Sequence, residues 1–238
     1  MNELKDLKIK IYADGADIES MKKTYKEGFI KGFTTNPTLM KKDGVTDYED
    51  FAKKILKEIT DMPVSFEVFS DDFESMEREA RKISSWGKNV VVKIPVTNTK
   101  GEPSYTLIKK LSDDGLSLNI TAILTLDQVK NVVDALSGKT FSIVSVFAGR
   151  IADTGRDPIP LMEEALKMVQ KKKNTELLWA SSRELLNIFH AEKCGCHIIT
   201  VTNDILKKVP NIGKDLAELS LDTVKMFYND AQKAGYKL

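Results

Sequence analysis

The chain has 238 residues, 42% of them hydrophobic and 30% charged, enough to bury a sizeable core in one large α/β domain or two small ones. Its 36 Lys and Arg almost balance its 35 Asp and Glu, for a net charge of +1, so nothing in the overall charge points to nucleic acid or another polyanion. No run is long enough to cross a membrane and the N-terminal stretch lacks the pattern of a signal peptide, so a cytoplasmic protein with neither membrane nor nucleic-acid partner is expected.

In chain order, short β-branched runs alternate with amphipathic stretches. Strands are predicted at 9–14, 32–36, 64–69, 90–96, 116–123, 141–148, 176–181 and 197–202. Helices between them include 48–59, 73–85, 126–136, 161–170 and 183–191, with Asp17, Thr125 and the Pro158/Pro160 pair as start signals. Strands each followed by a helix imply parallel pairing with crossover connections. No Gly-rich turn follows an early strand, as is usual in a doubly wound sheet. The expected fold is therefore a (β/α)8 TIM barrel over residues 1–238. A short helix at 204–208, Pro210 and a C-terminal helix at about 214–233 follow the eighth strand, and this last helix exceeds what a minimal barrel needs. Cys194 and Cys196 lie beside His197, but a lone CGCH segment lacks the distant second pair of a structural zinc site, and reduced buried thiols are the expectation.

Strand side chains alternate between faces. That parity puts Lys93 on the barrel side of its strand with Val91 and Pro95, opposite Val90, Val92, Ile94 and Val96. It puts Asn119 and Thr121, Glu67, Asp14 and Ser145 on the same inner side of their own strands. All lie towards strand C-termini, the end of this fold that carries active sites. A core built only for stability would place apolar groups there, since a buried unpaired polar group costs about 1–3 kcal/mol. Lys93 sits among Val, Ile and Pro, where desolvation favours the free amine that attacks a carbonyl; the plain alternative is a lysine ion-paired to Glu67. Asp14 and Glu67 offer two carboxylates for the proton transfers of imine chemistry, with Thr121 placed to hold a water for Glu67. The Asn36 and Asn119 amides suit sugar hydroxyls, and Pro37 biases Asn36 to an extended backbone. Neither histidine, His190 or His197, falls at an inward position, so an imine is preferred to a metal-assisted route and no cofactor or metal is expected. Arg150 after strand six, with Ser181, Ser182 and Arg183 ending strand seven and opening a helix, suits a phosphate; helix capping by a serine is the plain alternative. Arg156 and Lys100 receive no role.

These residues resemble the transaldolase family, in the short-chain branch that includes the fructose-6-phosphate aldolases. The resemblance runs from about Ile11 to Val201, through YADGAD, GFTTNPTLM, SFEVF, VVVKIPVT, LNITAI, SVFAGRIAD and ASSR. It implies Lys93 as the Schiff-base lysine and Asp14 as the acid/base at the hydroxyl beside the broken bond. Glu67 and Thr121 would hold a water. Asn36, Asn119 and Ser145 would hold a dihydroxyacetone fragment, with Thr34 lining the site, and Arg150, Ser181 and Arg183 would bind phosphate. ADGAD stands where many members have Asp-Thr-Ala or Asp-Thr-Ser, but the carboxylate is kept. Glu67, Asn119 and Ser145 are similar to transaldolases, whereas the aldolases typically carry Gln for the Glu and less polar residues at the other two. The implied activity is transfer of a dihydroxyacetone unit from a ketose phosphate such as fructose 6-phosphate or sedoheptulose 7-phosphate to an aldose phosphate. The alternatives are an aldolase releasing free dihydroxyacetone, a transaldolase of a sulfosugar held by the same Arg–Ser–Arg set, and a non-catalytic sugar-phosphate-binding barrel. Small-subunit relatives are often pentamers or decamers with the C-terminal helix at a subunit contact, which implies a homo-oligomer here.

Overall fold

A computed structural model describes residue 4 and residues 7–237. Eight parallel strands close into a barrel in sequence order: β1 (Lys10–Asp14), β2 (Gly32–Thr34), β3 (Val64–Glu67), β4 (Val90–Pro95), β5 (Leu118–Ile123), β6 (Ser142–Val146), β7 (Thr175–Trp179) and β8 (Ile198–Thr202). β8 pairs with β1 along the whole of β1, from Lys10 opposite Ile198 to Asp14 opposite Thr202, so no strand is left with a free edge. The fold is a (β/α)8 barrel.

The strands alternate with α1 (Ile18–Glu27), α2 (Pro37–Lys42), α3 (Tyr48–Glu58), α4 (Phe73–Ser84), α5 (Tyr105–Asp113), α6 (Leu126–Ala135), α7 (Ala148–Ala152), α8 (Ile159–Val169), α9 (Leu186–Lys193) and α10 (Asn203–Leu206). Their starts follow from side-chain caps. Asp17, Asn36, Asp47 and Asp72 each accept an N–H from the first turn of their helix, and Thr125 forms a reciprocal capping box with Gln128. The strand residues facing these helices (Val64, Phe66, Val92, Ile94, Leu118, Ile120, Val144 and Leu177) are completely buried in the main core. A second, smaller core fills the barrel itself: Tyr12, Val91, Ile143, Leu178, Ala180 and Ile198. These are the inner-face partners that strand parity assigns, and they plug the barrel below the polar residues at its C-terminal rim.

Two boundaries differ from the sequence reading in ways that matter for the site. β2 ends at Thr34, and Asn36 caps α2 instead of ending a strand, because Pro37 is pre-shaped for the first helical turn and has no N–H for a sheet. Arg183 does not open a helix: α9 begins at Leu186 with no side-chain cap, and 181–185 is irregular. Asn187 Oδ1 accepts the backbone N–H groups of Arg183 and Glu184, which holds that segment off the helix. The C-terminal helix α11 (Leu216–Ala234) has no buried residue, and it exposes Leu216, Leu221, Val224, Met226, Phe227 and Tyr228.

Gly32 shows how tightly the barrel interior is filled. It pairs with Tyr12 across β1 and β2, and a Cβ there would lie 2.5 Å from Cζ of the buried Tyr12 ring. Gly32→Ala is therefore expected to destabilise the chain by about 1–3 kcal/mol, as overpacking does. Urea unfolding measures this, and an unchanged midpoint would contradict the packing of Tyr12 against β2.

Candidate active site

A cavity of about 420 Å³ opens at the C-terminal rim of the barrel and is lined by all eleven residues singled out in the sequence: Asp14, Thr34, Asn36, Glu67, Lys93, Asn119, Thr121, Ser145, Arg150, Ser181 and Arg183. At its base, Lys93 is buried and its Nζ lies 3.1 Å from Glu67 Oε2. The ammonium also donates to the Thr35 carbonyl at 3.1 Å. Glu67 and Lys93 stand opposite each other in the β3–β4 register, and Lys93 and Asn119 in the β4–β5 register, so adjacent strands deliver these three side chains to one level. The ion pair considered from the sequence is thus formed in this structure.

Asp14 lies across the cavity. One carboxylate oxygen accepts from Thr34 Oγ1 at 2.8 Å and the other from Asn36 Nδ2 at 3.3 Å. Asn36 Oδ1 meanwhile caps α2 through Leu39 N, which fixes which end of the amide faces the carboxylate. Burial pushes the Asp14 carboxyl above its ordinary value; the Lys93 charge and the Thr34 and Asn36 hydrogen bonds pull it back, and Glu67 adds to the rise. A second hydrogen-bonded line runs beside Lys93 through Asn119. Ser145 donates to Asn119 Oδ1 at 2.6 Å, and Asn119 Nδ2 donates to Ser65 Oγ at 3.1 Å, all three residues being buried.

Thr121 sits at an irregularity. Ile120 and Ile123 of β5 pair with Val144 and Val146 of β6, so β5 carries one extra residue, and Ala122 takes a positive φ of 62°. Thr121 faces the cavity as strand parity requires, and the bulge brings Ala122 there as well. The Thr121 hydroxyl is buried without a hydrogen-bond partner among the described residues, which suits a group that meets water or substrate.

The cationic side of the cavity is built from the segments after β6 and β7. Gly149, in the first turn of α7, lets the chain after β7 approach closely: a Cβ there would lie 1.6 Å from the Ser181 carbonyl oxygen. Ser181 itself takes a positive φ of 63°. Arg150 projects from α7 over the Phe147 ring, and Arg183 is held by both carboxylate oxygens of Asp153, its Nε 3.0 Å from Oδ1. Arg183 therefore presents an oriented guanidinium and not a free one. Ser182 caps nothing; its hydroxyl donates to the Thr200 carbonyl.

The sequence reading missed several lining residues. Thr200 and Thr202 of β8 face the cavity, and Thr200 Oγ1 is 2.6 Å from that of Thr34. The inner-face parity of Ile198, Thr200 and Thr202 was the available signal. Phe147, Leu178 and Ala180 supply the apolar wall.

With this arrangement in view, the sequence matches the transaldolase/fructose-6-phosphate aldolase family over residues 11–238. The chain belongs to that family. It is 33% identical over 231 residues to a probable transaldolase of Thermoanaerobacter sp., covering 97% of this chain and 100% of the relative. It is 35% identical over 228 residues to a probable transaldolase of Thermoplasma acidophilum, covering 92% and 96%. Among solved structures, KGPDC from Streptococcus mutans superposes with a TM-score of 0.58 at 9% identity, covering 85% of this chain and 91% of that one. A dihydrodipicolinate synthase from Rhodopseudomonas palustris gives 0.57 at 17%, covering 90% and 79%. These two likenesses are of fold alone.

In this transaldolase-family chain the raised Asp14 carboxyl has a consequence for stability. The folded carboxyl keeps its proton to higher pH than the unfolded one, so the folded state binds more protons from about pH 4 upward. Its contribution to stability is present below that pH and is lost as pH rises through the folded value. In urea unfolding between pH 4 and 8, the wild type is expected to lose stability relative to Asp14→Ala as pH increases. A difference independent of pH would contradict the burial of this carboxyl.

Proposed function

We propose that this chain transfers a dihydroxyacetone unit from a ketose phosphate, fructose 6-phosphate or sedoheptulose 7-phosphate, to an aldose phosphate through an imine on Lys93. The observation that carries the proposal is a buried amine held between a carboxylate and a carbonyl, with a second carboxylate, shifted upward by burial, lining the same cavity. Glu67 takes the Lys93 proton, and the free amine adds to the ketose C2 carbonyl. Glu67 returns a proton as the carbinolamine loses water, and Thr121 orients that water. Asp14 then accepts the C4 hydroxyl proton; the C3–C4 bond breaks, its electron pair flows into the imine, and the aldose leaves. A second aldose enters, the enamine attacks its carbonyl carbon, and Asp14 gives the proton back. Hydrolysis at Lys93, by the reverse of imine formation, releases the new ketose.

Asn36, Asn119 and Ser145 face the three-carbon fragment, with Thr34 supporting Asp14. Arg150, Ser181 and Arg183 take the terminal phosphate, charge-assisted on the cationic side. The reaction needs no cofactor. Such chemistry fits the pentose phosphate pathway of the cytoplasm. Turnover of fructose 6-phosphate is expected only when an aldose phosphate such as erythrose 4-phosphate is supplied. Equal turnover without it, with dihydroxyacetone released, would replace transfer by simple aldol cleavage.

The homo-oligomer belongs to the same proposal. A 19-residue helix with no buried side chain and an apolar surface of Leu216, Val224 and Phe227 is covered by a second copy of the chain, in a ring of five or a pair of rings. Light scattering is expected to give a multiple of 26.7 kDa that falls towards the monomer in Val224→Glu/Phe227→Glu. A monomeric wild type would contradict it.

A further inference from the structure

The β2–β3 ladder breaks at the level of the lysine, and a side chain from outside the barrel occupies the break. Thr35 N donates to the Ser65 carbonyl at 3.2 Å. In a regular parallel pair the next rungs would join Glu67 N to the Thr35 carbonyl and the N–H of residue 37 to the Glu67 carbonyl. Residue 37 is proline and has no N–H to give. The Thr35 carbonyl accepts from Lys93 Nζ at 3.1 Å, and Glu67 N donates to a side chain instead of to it. Neither backbone group of Glu67 on this side therefore has its ladder partner on β2.

Tyr48, the first residue of α3, supplies both partners. Glu67 N donates to its phenol oxygen at 2.7 Å, and the phenol O–H donates to the Glu67 carbonyl at 3.0 Å. The ring is fixed by aromatic neighbours: Phe69 at 4.5 Å, Trp86 at 5.3 Å and Phe66 at 6.0 Å between centroids. Burial pushes the phenol well above its ordinary range, so it keeps the proton it donates.

We infer that Tyr48 is a positioning residue for Lys93 chemistry: its phenol stands in for the missing ladder rung, fixes the backbone of Glu67 beneath the carboxylate, and leaves the Thr35 carbonyl to Lys93. The inference rests on the imine reading above for its effect on rate, and on geometry alone for the contact itself. Nothing in the hydrophobic core asks for the hydroxyl, since phenylalanine would fill the same aromatic pocket. What the hydroxyl does is hold one strand end while the two side chains above it exchange a proton.

Two measurements test it. In the wild-type protein, amide hydrogen exchange is expected to find Glu67 protected like a ladder residue; exchange as fast as an unbonded rim amide would overturn the contact. In kinetics, Tyr48→Phe is expected to lower kcat roughly 10-fold with little change in KM, a part of the ~10²–10⁴ that positioned acid–base groups supply. The same substitution made in Glu67→Gln is expected to have less than about a 2-fold further effect, because the group it positions is already disabled. Equal effects of Tyr48→Phe in both backgrounds would mean that the phenol acts on stability only, and would overturn the inference. A wild type without turnover sinks the imine reading instead, and the exchange measurement still decides the contact.

Discussion

A lysine and a glutamate meet at 3.1 Å on neighbouring strands inside a barrel, and the rest of the site is arranged around that pair. Removing one partner of a buried pair typically costs about 3–5 kcal/mol, because the other charge is left uncompensated. The pair is therefore no neutral filler. It sets an amine beside a carboxylate at the base of the cavity. Asp14 adds a second carboxylate nearby, and burial favours its protonated form. One carboxylate is paired with the amine and the other is shifted upward by burial, a difference in environment of the kind that lets two carboxylates divide two proton transfers.

The barrel makes this arrangement from ordinary parts. Closure removes every strand edge and turns strand parity into a layered interior, with an apolar plug of Tyr12, Val91, Ile143 and Leu178 below and polar side chains above. Where the regular pattern fails, it fails at the site. The bulge brings Ala122 to the cavity beside Thr121, Pro37 ends the β2 ladder so that the Thr35 carbonyl reaches Lys93, and Gly149 admits the segment that carries Ser181 and Arg183. Local irregularities of this kind cost stability and persist where function holds them in place.

Much of this was legible because a strand's period of two is a strong constraint. The parity of VVVKIP, LNITAI and SFEVF alone placed Lys93, Asn119 and Glu67 on one inner surface, and the structure has them in register on adjacent strands. The same argument applied to ITVT would have found Thr200 and Thr202. The start of α9 was misread because Ser-Ser-Arg resembles a cap, while the partner that keeps the segment irregular, Asn187, lies four residues beyond Arg183. Tyr48 was invisible for a different reason. Its pattern is that of a buried aromatic on an amphipathic helix, and only the coordinates show that its hydroxyl meets the backbone of a strand 19 residues away. The Asp153–Arg183 pair likewise joins two segments 30 residues apart, which no periodicity encodes.

Everything here turns on Lys93 being the atom that joins the sugar. The direct measurement is borohydride reduction of the protein in the presence of fructose 6-phosphate, followed by mass mapping of the peptides. A covalent adduct is expected on the peptide containing Lys93 and nowhere else, and it is expected to vanish in Lys93→Ala. No adduct in the wild type, or an adduct that survives that substitution, would contradict imine chemistry at this lysine.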